Sequence, residues 1–205
     1  MSFKKLDKYL ENYPVYFSNR SDDNERVLNT INKLLSFKKK DLITANKTVL
    51  DVGSGDKALY NVCLKKNINI SEIDGSDGIN FEEDKIYFEN ESFDFVIFNA
   101  VIEHLYNPNN ILTEIYRVLK KGGILITTAP NYRYGYKYFY DDPTHLHPYT
   151  PQSLTKVLQM NNFTENLSKL LNLHKKNKDI LFIDIIFYLS DFYFKNLKDQ
   201  DILKN

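Results

Sequence analysis

The stretch VLDVGSGDKALY, residues 49–60, places an apolar run ahead of two glycines spaced one residue apart, with helical spacing beginning at Lys57. A strand that ends in glycines and feeds a helix offers backbone N–H groups and close approach to the main chain. Open α/β sheets bind ligands at that carboxyl edge. Gly53, Ser54 and Gly55 are therefore cofactor candidates. The same stretch satisfies the dinucleotide pattern G-x-G-x-x-G/A, with Ala58 last and Asp74 about 20 residues on as a ribose acceptor. The glycines alone leave NAD open. Asp51 leans the other way, because a carboxylate at the strand end repels a pyrophosphate and attracts a sulfonium or amino group. Lys57 stands where a third glycine is expected, against a tight diphosphate cradle.

Outward from the turn, the pattern alternates. KALYNVCLKKN has helical spacing, and INISEIDG is a second apolar run closing on an acid and a glycine. FDFVIFNAV is too apolar to face water on either side, as in a central strand of a parallel sheet. In NPNNILTEIYRVLKK, Asn109 or Asn110 is the expected cap, and Ile111, Leu112, Ile115, Val118 and Leu119 form the apolar stripe. GGILITTAP then reads as a glycine helix stop followed by a buried strand. Strands alternating with helices over residues 48–130 predict an α/β sheet covered on both sides.

The chain has 205 residues, with 27 basic and 27 acidic side chains and zero formal net charge, so the whole-molecule field favours neither nucleic acid nor an anionic membrane. The single cysteine, Cys63, excludes an intrachain disulfide and a cysteine-rich zinc site. It suits a reducing compartment. The first residues carry scattered charges and no signal-like apolar segment, so the expected location is cytoplasmic. The longest apolar region, ILFIDIIFYLSDFYF at residues 180–194, is interrupted by Asp184 and Asp191 short of a spanning length. Seven residues apart, these aspartates share a helix face, and the reading is a packed helix over 180–197 with a strongly apolar opposite side. No repeat or low-complexity linker divides the chain. The expectation is one domain over 1–205, made of a helical cap (1–45), a cofactor-binding core (46–163) and a C-terminal strand with the apolar helix (164–205).

VLDVGSGDKALY, EIDGSDG and ENESFDFVIFNAVIEHLYNPNNILTEIYRVLKKGGILITTAPN together resemble, in order and spacing, the class I S-adenosylmethionine-dependent methyltransferases, over about residues 47–163. The resemblance implies a Rossmann-like, doubly wound, mostly parallel sheet with helices on both faces, and S-adenosyl-L-methionine as cofactor. It places Asp51 near the methionine amino end, with Gly53, Ser54 and Gly55 letting the backbone pass. Asp74 accepts from the ribose hydroxyls, with Gly75 and Ser76 beside the adenosine. Asn99 and Ala100 line the methionine and sulfonium region, and His104 sits at the pocket rim with Glu103 as a partner. The chain departs from the family at Lys57 and again between Asp74 and Phe93, where there is little room for a full helix and third strand; Ile79, Asn80 and Phe81 are expected near adenine.

Methyl transfer needs orientation and electrostatics more than a protein nucleophile. For a hydroxyl acceptor a base helps, and histidine suits neutral pH. His145 and His147, in the aromatic, proline-punctuated stretch NYRYGYKYFYDDPTHLHPYTP, are the base candidates, His145 first because Asp141 or Asp142 could orient its ring. The alternative for each is a loop histidine that caps a helix or packs on the tyrosines. Asp141, Asp142, His145 and His147 have ligand chemistry for a divalent ion, but their spacing matches no metal motif, and no metal is expected. The stretch could form an acceptor wall, with Arg133 and Lys137 binding an anionic group, or be the apolar underside of a folded loop. The acceptor expected is a small molecule or saccharide, methylated on a hydroxyl oxygen, with no nucleic acid and no membrane span. A nicotinamide-dependent oxidoreductase and a non-catalytic methyltransferase-like domain are the alternatives. FTENLSKLL is a candidate strand of the family's terminal hairpin, and an exposed apolar face on the 180–197 helix would favour a homodimer.

Overall fold

The computed structural model describes residues 20–37, 39–172 and 184–191. It resolves into two compact units, residues 1–80 and 81–205.

In the first unit, helix α1 (Arg20–Phe37) buries Leu28, Ile31, Leu34 and Leu35 along one face, the spacing of an amphipathic helix. Asn32 fastens it to the chain that follows: its Nδ2 donates to the Ile43 carbonyl at 3.1 Å and its Oδ1 accepts the Ile43 N–H at 2.8 Å. Strand β1 (Thr48–Val52) pairs in parallel with β2 (Asn69–Ile73), in a register that sets Asp51 beside Glu72. Helix α2 (Ala58–Lys65) connects them and buries Leu59, Val62 and Cys63, so Cys63 is a core filler, as its isolation in the sequence suggests. Burial pushes its thiol up to about 12.

In the second unit, β3 (Phe93–Asn99) runs parallel to β4 (Leu119–Thr128), with helix α3 (Asn109–Val118) between them in the chain. Phe95 to Phe98 are all buried, which matches the unbroken apolar run. Two local expectations change. Neither Asn109 nor Asn110 caps α3; the N-cap position is Pro108, and Asn107 Oδ1 accepts the Asn109 N–H at 3.1 Å. The glycine pair does not stop the helix either, because β4 begins directly after Val118. Instead the register jumps from Phe93 opposite Leu119 to Phe95 opposite Ile124. Gly122 (φ 76°) and Gly123 lie in this bulge, and a Cβ on Gly123 would stand 2.9 Å from the Lys120 carbonyl oxygen.

No strand forms between Ile73 and Phe93, in keeping with the short sequence there. Arg117 orders the later part of that segment. Its guanidinium donates to the carbonyls of Ile86 (3.0 Å) and Phe88 (2.8 Å), to Asn90 Oδ1 (2.9 Å) and to both carboxylate oxygens of Glu114 (2.9 and 2.6 Å), using all five donors. Glu114 Oε2 also accepts the Ile86 N–H at 3.0 Å.

After β4, short helix α4 (Tyr132–Gly135) and helix α5 (Pro151–Met160) bracket the aromatic stretch. Thr150 and Ser153 cap α5 reciprocally, with Pro151 at its first position. Strand β5 (Thr164–Asn172) matches the expected hairpin strand. The 180–197 helix is corrected: Asp184–Asp191 is strand β6, antiparallel to both β4 and β5. The apolar helix behind the homodimer expectation is therefore not formed over these residues; the remainder of 180–197 lies outside the described residues. Two aspartates seven apart fit a helix face, yet they also bound an uninterrupted six-residue interior of strand length, and periodicity cannot separate the two. Pairing to β4 decides it.

Arg117→Leu should lower unfolding stability by about 2–4 kcal/mol, because it strands the Glu114 carboxylate and two backbone carbonyls. Urea denaturation checks this, and a change below 1 kcal/mol would show that the network is not what holds residues 86–90.

Candidate functional site

In the first unit, the turn after β1 is held by two carboxylates of β2 and its end. Glu72 accepts from Ser54 Oγ (2.5 Å) and from Lys57 Nζ (2.5 Å). Asp74 accepts the Gly55 N–H through Oδ2 (2.9 Å) and the Ser76 N–H through Oδ1 (3.0 Å). The Ile73 carbonyl accepts from Gly53 N (2.8 Å) and Ser54 N (3.3 Å). Lys57 N donates to the Ser54 carbonyl, and Ala58 N to Asp56 Oδ1. The N–H groups of Gly53, Ser54, Gly55, Lys57 and Ala58 are thus already engaged within the chain. Gly53 (φ 78°) and Gly55 (φ 53°) occupy left-handed backbone, which explains both glycines.

Lys57 shares that conformation, at φ 57°. Left-handed backbone favours glycine, and here a lysine adopts it while its ammonium reaches Glu72. Burial pushes the Glu72 carboxyl up, but the Lys57 and Ser54 hydrogen bonds and the lysine charge bring it below its ordinary range overall. Sequence reasoning missed Glu72. The signal was its place two residues before Asp74, on the same face of one strand.

Asp51 is 3 % exposed at the end of β1. Burial first, and then the charges of Glu72, Asp74 and Asp56, push its carboxyl up to about 7. Gly75 is buried and Asn80 half-buried in the segment after β2.

In the second unit, Phe81 is buried in the core. Asn99 ends β3, where its Oδ1 accepts from Thr128 Oγ1 at 2.5 Å. Ala100 is exposed at φ 54°, its N–H donating to the Thr128 carbonyl (3.2 Å) and hydroxyl (3.1 Å). The loop bearing the two histidines docks on the turn after β3: the Glu103 carbonyl accepts from Leu146 N (2.8 Å) and His147 N (3.1 Å).

His104 and His145 come together with ring centroids 4.8 Å apart. His104 turns Nδ1 to the Thr144 carbonyl (3.2 Å) and hydroxyl (2.9 Å), so its partner is Thr144 and not Glu103. Burial, and then the neighbouring His145, lower its proton affinity. The His145 ring is oriented by a carbonyl, with Nδ1 2.6 Å from Phe139 O; Asp142 Oδ2 is 4.0 Å from its Nε2, and no bond from Asp141 reaches it. His147 Nε2 lies 3.0 Å from the Tyr106 carbonyl. Glu103 is 1 % exposed, its Oε2 has no hydrogen-bond partner, and burial pushes its carboxyl up to about 8. Phe139 is the hub of the loop, against Tyr132, Tyr140 and His145 at centroid distances of 5.5, 5.0 and 4.5 Å. Tyr134, Tyr136, Tyr138 and Tyr140 point outward, each about half exposed.

A methyltransferase-domain family model matches residues 19–169, most of the chain and all of the elements from β1 to α5. The chain belongs to the methyltransferase-domain family. An uncharacterized protein of Methanocaldococcus jannaschii is 31 % identical over 127 residues, 59 % of this chain and 58 % of its own length. The chain thus spans little more than half of that relative. A SAM-dependent methyltransferase from Archaeoglobus fulgidus superposes with TM-score 0.55 at 17 % identity, over 82 % of this chain and 94 % of that one. The Burkholderia thailandensis 1,6-didemethyltoxoflavin-N1-methyltransferase, solved with bound 1,6-didemethyltoxoflavin and S-adenosylhomocysteine, does so with TM-score 0.65 at 12 % identity, over 93 % of this chain and 86 % of that one. At these identities the likeness is one of fold: the methyltransferase domain is α/β and Rossmann-like.

Two predictions follow from the turn. Asp51 binds a proton more tightly when folded than its ordinary 3.8, so stability declines as pH rises from about 4 to about 7 and levels above. Asp51→Asn abolishes that decline, and its advantage in urea denaturation should grow by on the order of 3 kcal/mol between pH 5 and pH 8. At position 57, the left-handed backbone makes Lys57→Gly better tolerated than Lys57→Ala, although both lose the Glu72 pair. Thermal melting with alanine equal to or above glycine would refute the backbone explanation.

Proposed function

We propose that this methyltransferase domain transfers a methyl group from S-adenosyl-L-methionine to a small molecule or saccharide, on a hydroxyl oxygen. The observation that carries the cofactor choice is the occupied state of the turn's N–H groups. A dinucleotide's pyrophosphate needs such donors free, and at this turn they already donate to Ile73, Ser54, Asp56 and Asp74. The charges of Glu72, Asp74 and Asp56 act on Asp51, and those of Glu72, Asp77 and Asp74 on Lys57, a preponderance of carboxylates suited to a cationic ligand. S-adenosylmethionine carries a sulfonium and an amino group. Asp51 takes the amino end, Gly53, Ser54 and Gly55 allow close passage, and Asp74 keeps lone pairs for the ribose hydroxyls with Gly75 alongside. Asn80, half-buried in the same unit, is a further proposed cofactor contact.

For the acceptor, the four outward tyrosines supply broad, amphipathic contact at low conformational cost, and exposed Arg133 and Lys137 suit an anionic substituent. The base is assigned among the two loop histidines. Nε2–H of His147 donates to the Tyr106 carbonyl, which leaves Nδ1 with the lone pair to take the hydroxyl proton. His145 has a side chain only 14 % exposed and its Nε2 on the side of Asp142, so it serves as the inner partner. In the in-line step, the acceptor oxygen forms the new C–O bond as the methyl–sulfur bond breaks. The electron pair goes to sulfur, giving neutral S-adenosylhomocysteine, and the hydroxyl proton goes to the base.

Calorimetry on the purified chain should give S-adenosylmethionine and S-adenosylhomocysteine binding and no binding of NAD. NAD binding alone would overturn the reading in favour of an oxidoreductase. Asp74→Asn, which keeps one acceptor oxygen for either the Gly55 or the Ser76 N–H and removes the carboxylate, should weaken cofactor affinity at least tenfold. His147→Ala should leave cofactor affinity unchanged and cut turnover about 10²–10⁴-fold; unchanged turnover would remove the base assignment.

A further inference from the structure

The turn after β3 and the aromatic loop together gather a group of side chains that cofactor binding does not use. Glu103, His104 and His145 each bring one ligand atom to a common point, all within 4.8 Å of one another. We propose that these three residues form a binding site for a divalent first-row transition ion, of the zinc type, with an open coordination position.

Three independent features support the site. The first is the unmet carboxylate. Glu103 is 1 % exposed and its Oε2 has no hydrogen-bond partner, whereas a buried carboxylate oxygen is ordinarily paired or coordinates a cation.

The second is the orientation of the imidazoles. His145 Nδ1 lies 2.6 Å from the Phe139 carbonyl, which can only accept, so the proton is on Nδ1 and the lone pair on Nε2. His104 Nδ1 faces the Thr144 carbonyl and a hydroxyl that gives its own proton to Asp142 Oδ1 at 2.5 Å. Nδ1 of His104 is therefore also the protonated nitrogen, with the lone pair on Nε2. Metal-binding histidines are held this way, one ring N–H tied to a carbonyl and the other nitrogen left as ligand.

The third is donor chemistry and reach. Two imidazoles and one carboxylate suit zinc, iron, copper or nickel rather than calcium or magnesium. Tetrahedral zinc holds its ligand atoms about 3.4 Å apart, so a set within 4.8 Å closes on an ion through shifts of about 1 Å. The backbone already supports this, since Leu146 N and His147 N hydrogen-bond to the Glu103 carbonyl and bring the loop to the turn. Asp142 Oδ2, 4.0 Å from His145 Nε2, stands beyond hydrogen-bond distance and is a further oxygen on that side of the ring.

The test is titration of the chelator-stripped chain with cobalt(II), read by visible absorption, and with zinc(II), read by calorimetry. Neither needs a methyl donor, so the result stands apart from that of the methyltransferase reading. The expected outcome is one equivalent bound, with the intense d–d bands of low-coordinate cobalt. Affinity should fall at least tenfold in Glu103→Gln and in His104→Ala, and remain unchanged in Asp141→Asn. Far-ultraviolet circular dichroism identifies any variant that has not folded. For such a variant, competition of zinc against bound cobalt in the unsubstituted chain supplies the stoichiometry. Absence of micromolar uptake by the unsubstituted chain, or uptake insensitive to Glu103→Gln and His104→Ala, would overturn the site.

Discussion

Two carboxylates at the end of β2 hold the glycine turn in one shape. Glu72 grips Ser54 and Lys57, and Asp74 grips Gly55 and Ser76. Both are charge-assisted contacts at short distance, stronger than neutral ones. Their consequence is electrostatic as well as geometric, because the same carboxylates that shape the turn surround Asp51 with negative charge. A buried acid among other acids costs stability unless it is protonated or meets a cation. The strain of the turn is local and explicable: Gly53, Gly55 and Lys57 all stand at positive φ within five residues.

The second unit is organised by a different constraint, the anchoring of a long aromatic loop to the turn after β3. The Glu103 carbonyl receives two N–H groups from that loop, and Phe139 packs its ring on His145, Tyr132 and Tyr140. The loop is thereby both a folded underside and an exposed face. Of the sequence alternatives, apolar packing holds for Phe139, which turns inward, while Tyr134, Tyr136, Tyr138 and Tyr140 turn out.

Much of the fold was legible because its signals are local. Alternating strand and helix patterns from Thr48 to Thr128, and the hairpin strand at Thr164–Asn172, appear where the periodicity put them. The glycines and Asp74 occupy the turn as expected. Three readings failed for related reasons. A cap at Asn109 or Asn110 gave way to Asn107, because an Asx turn one residue before Pro108 competes with a cap. Gly122 and Gly123 serve a β-bulge because the strand resumes without a helix terminator. The Asp184–Asp191 run became a strand because β4 offered an unpaired edge, which no local pattern records.

By itself the sequence determined the α/β class, the acidic and glycine-rich turn, the short passage between β2 and β3, and membership of the methyltransferase-domain family. Each of these depends on side-chain type at fixed spacing along one element. Only the tertiary structure decided that Lys57 takes a glycine's backbone because Glu72 waits 15 residues away, and that His145 answers to Phe139. It also decided that His145 comes to the adjacent pair of buried Glu103 and His104 from about 40 residues further along the chain. Those are contacts between separate elements, and their partners are chosen by packing and by the need to satisfy buried polar groups, neither of which leaves a period in the sequence.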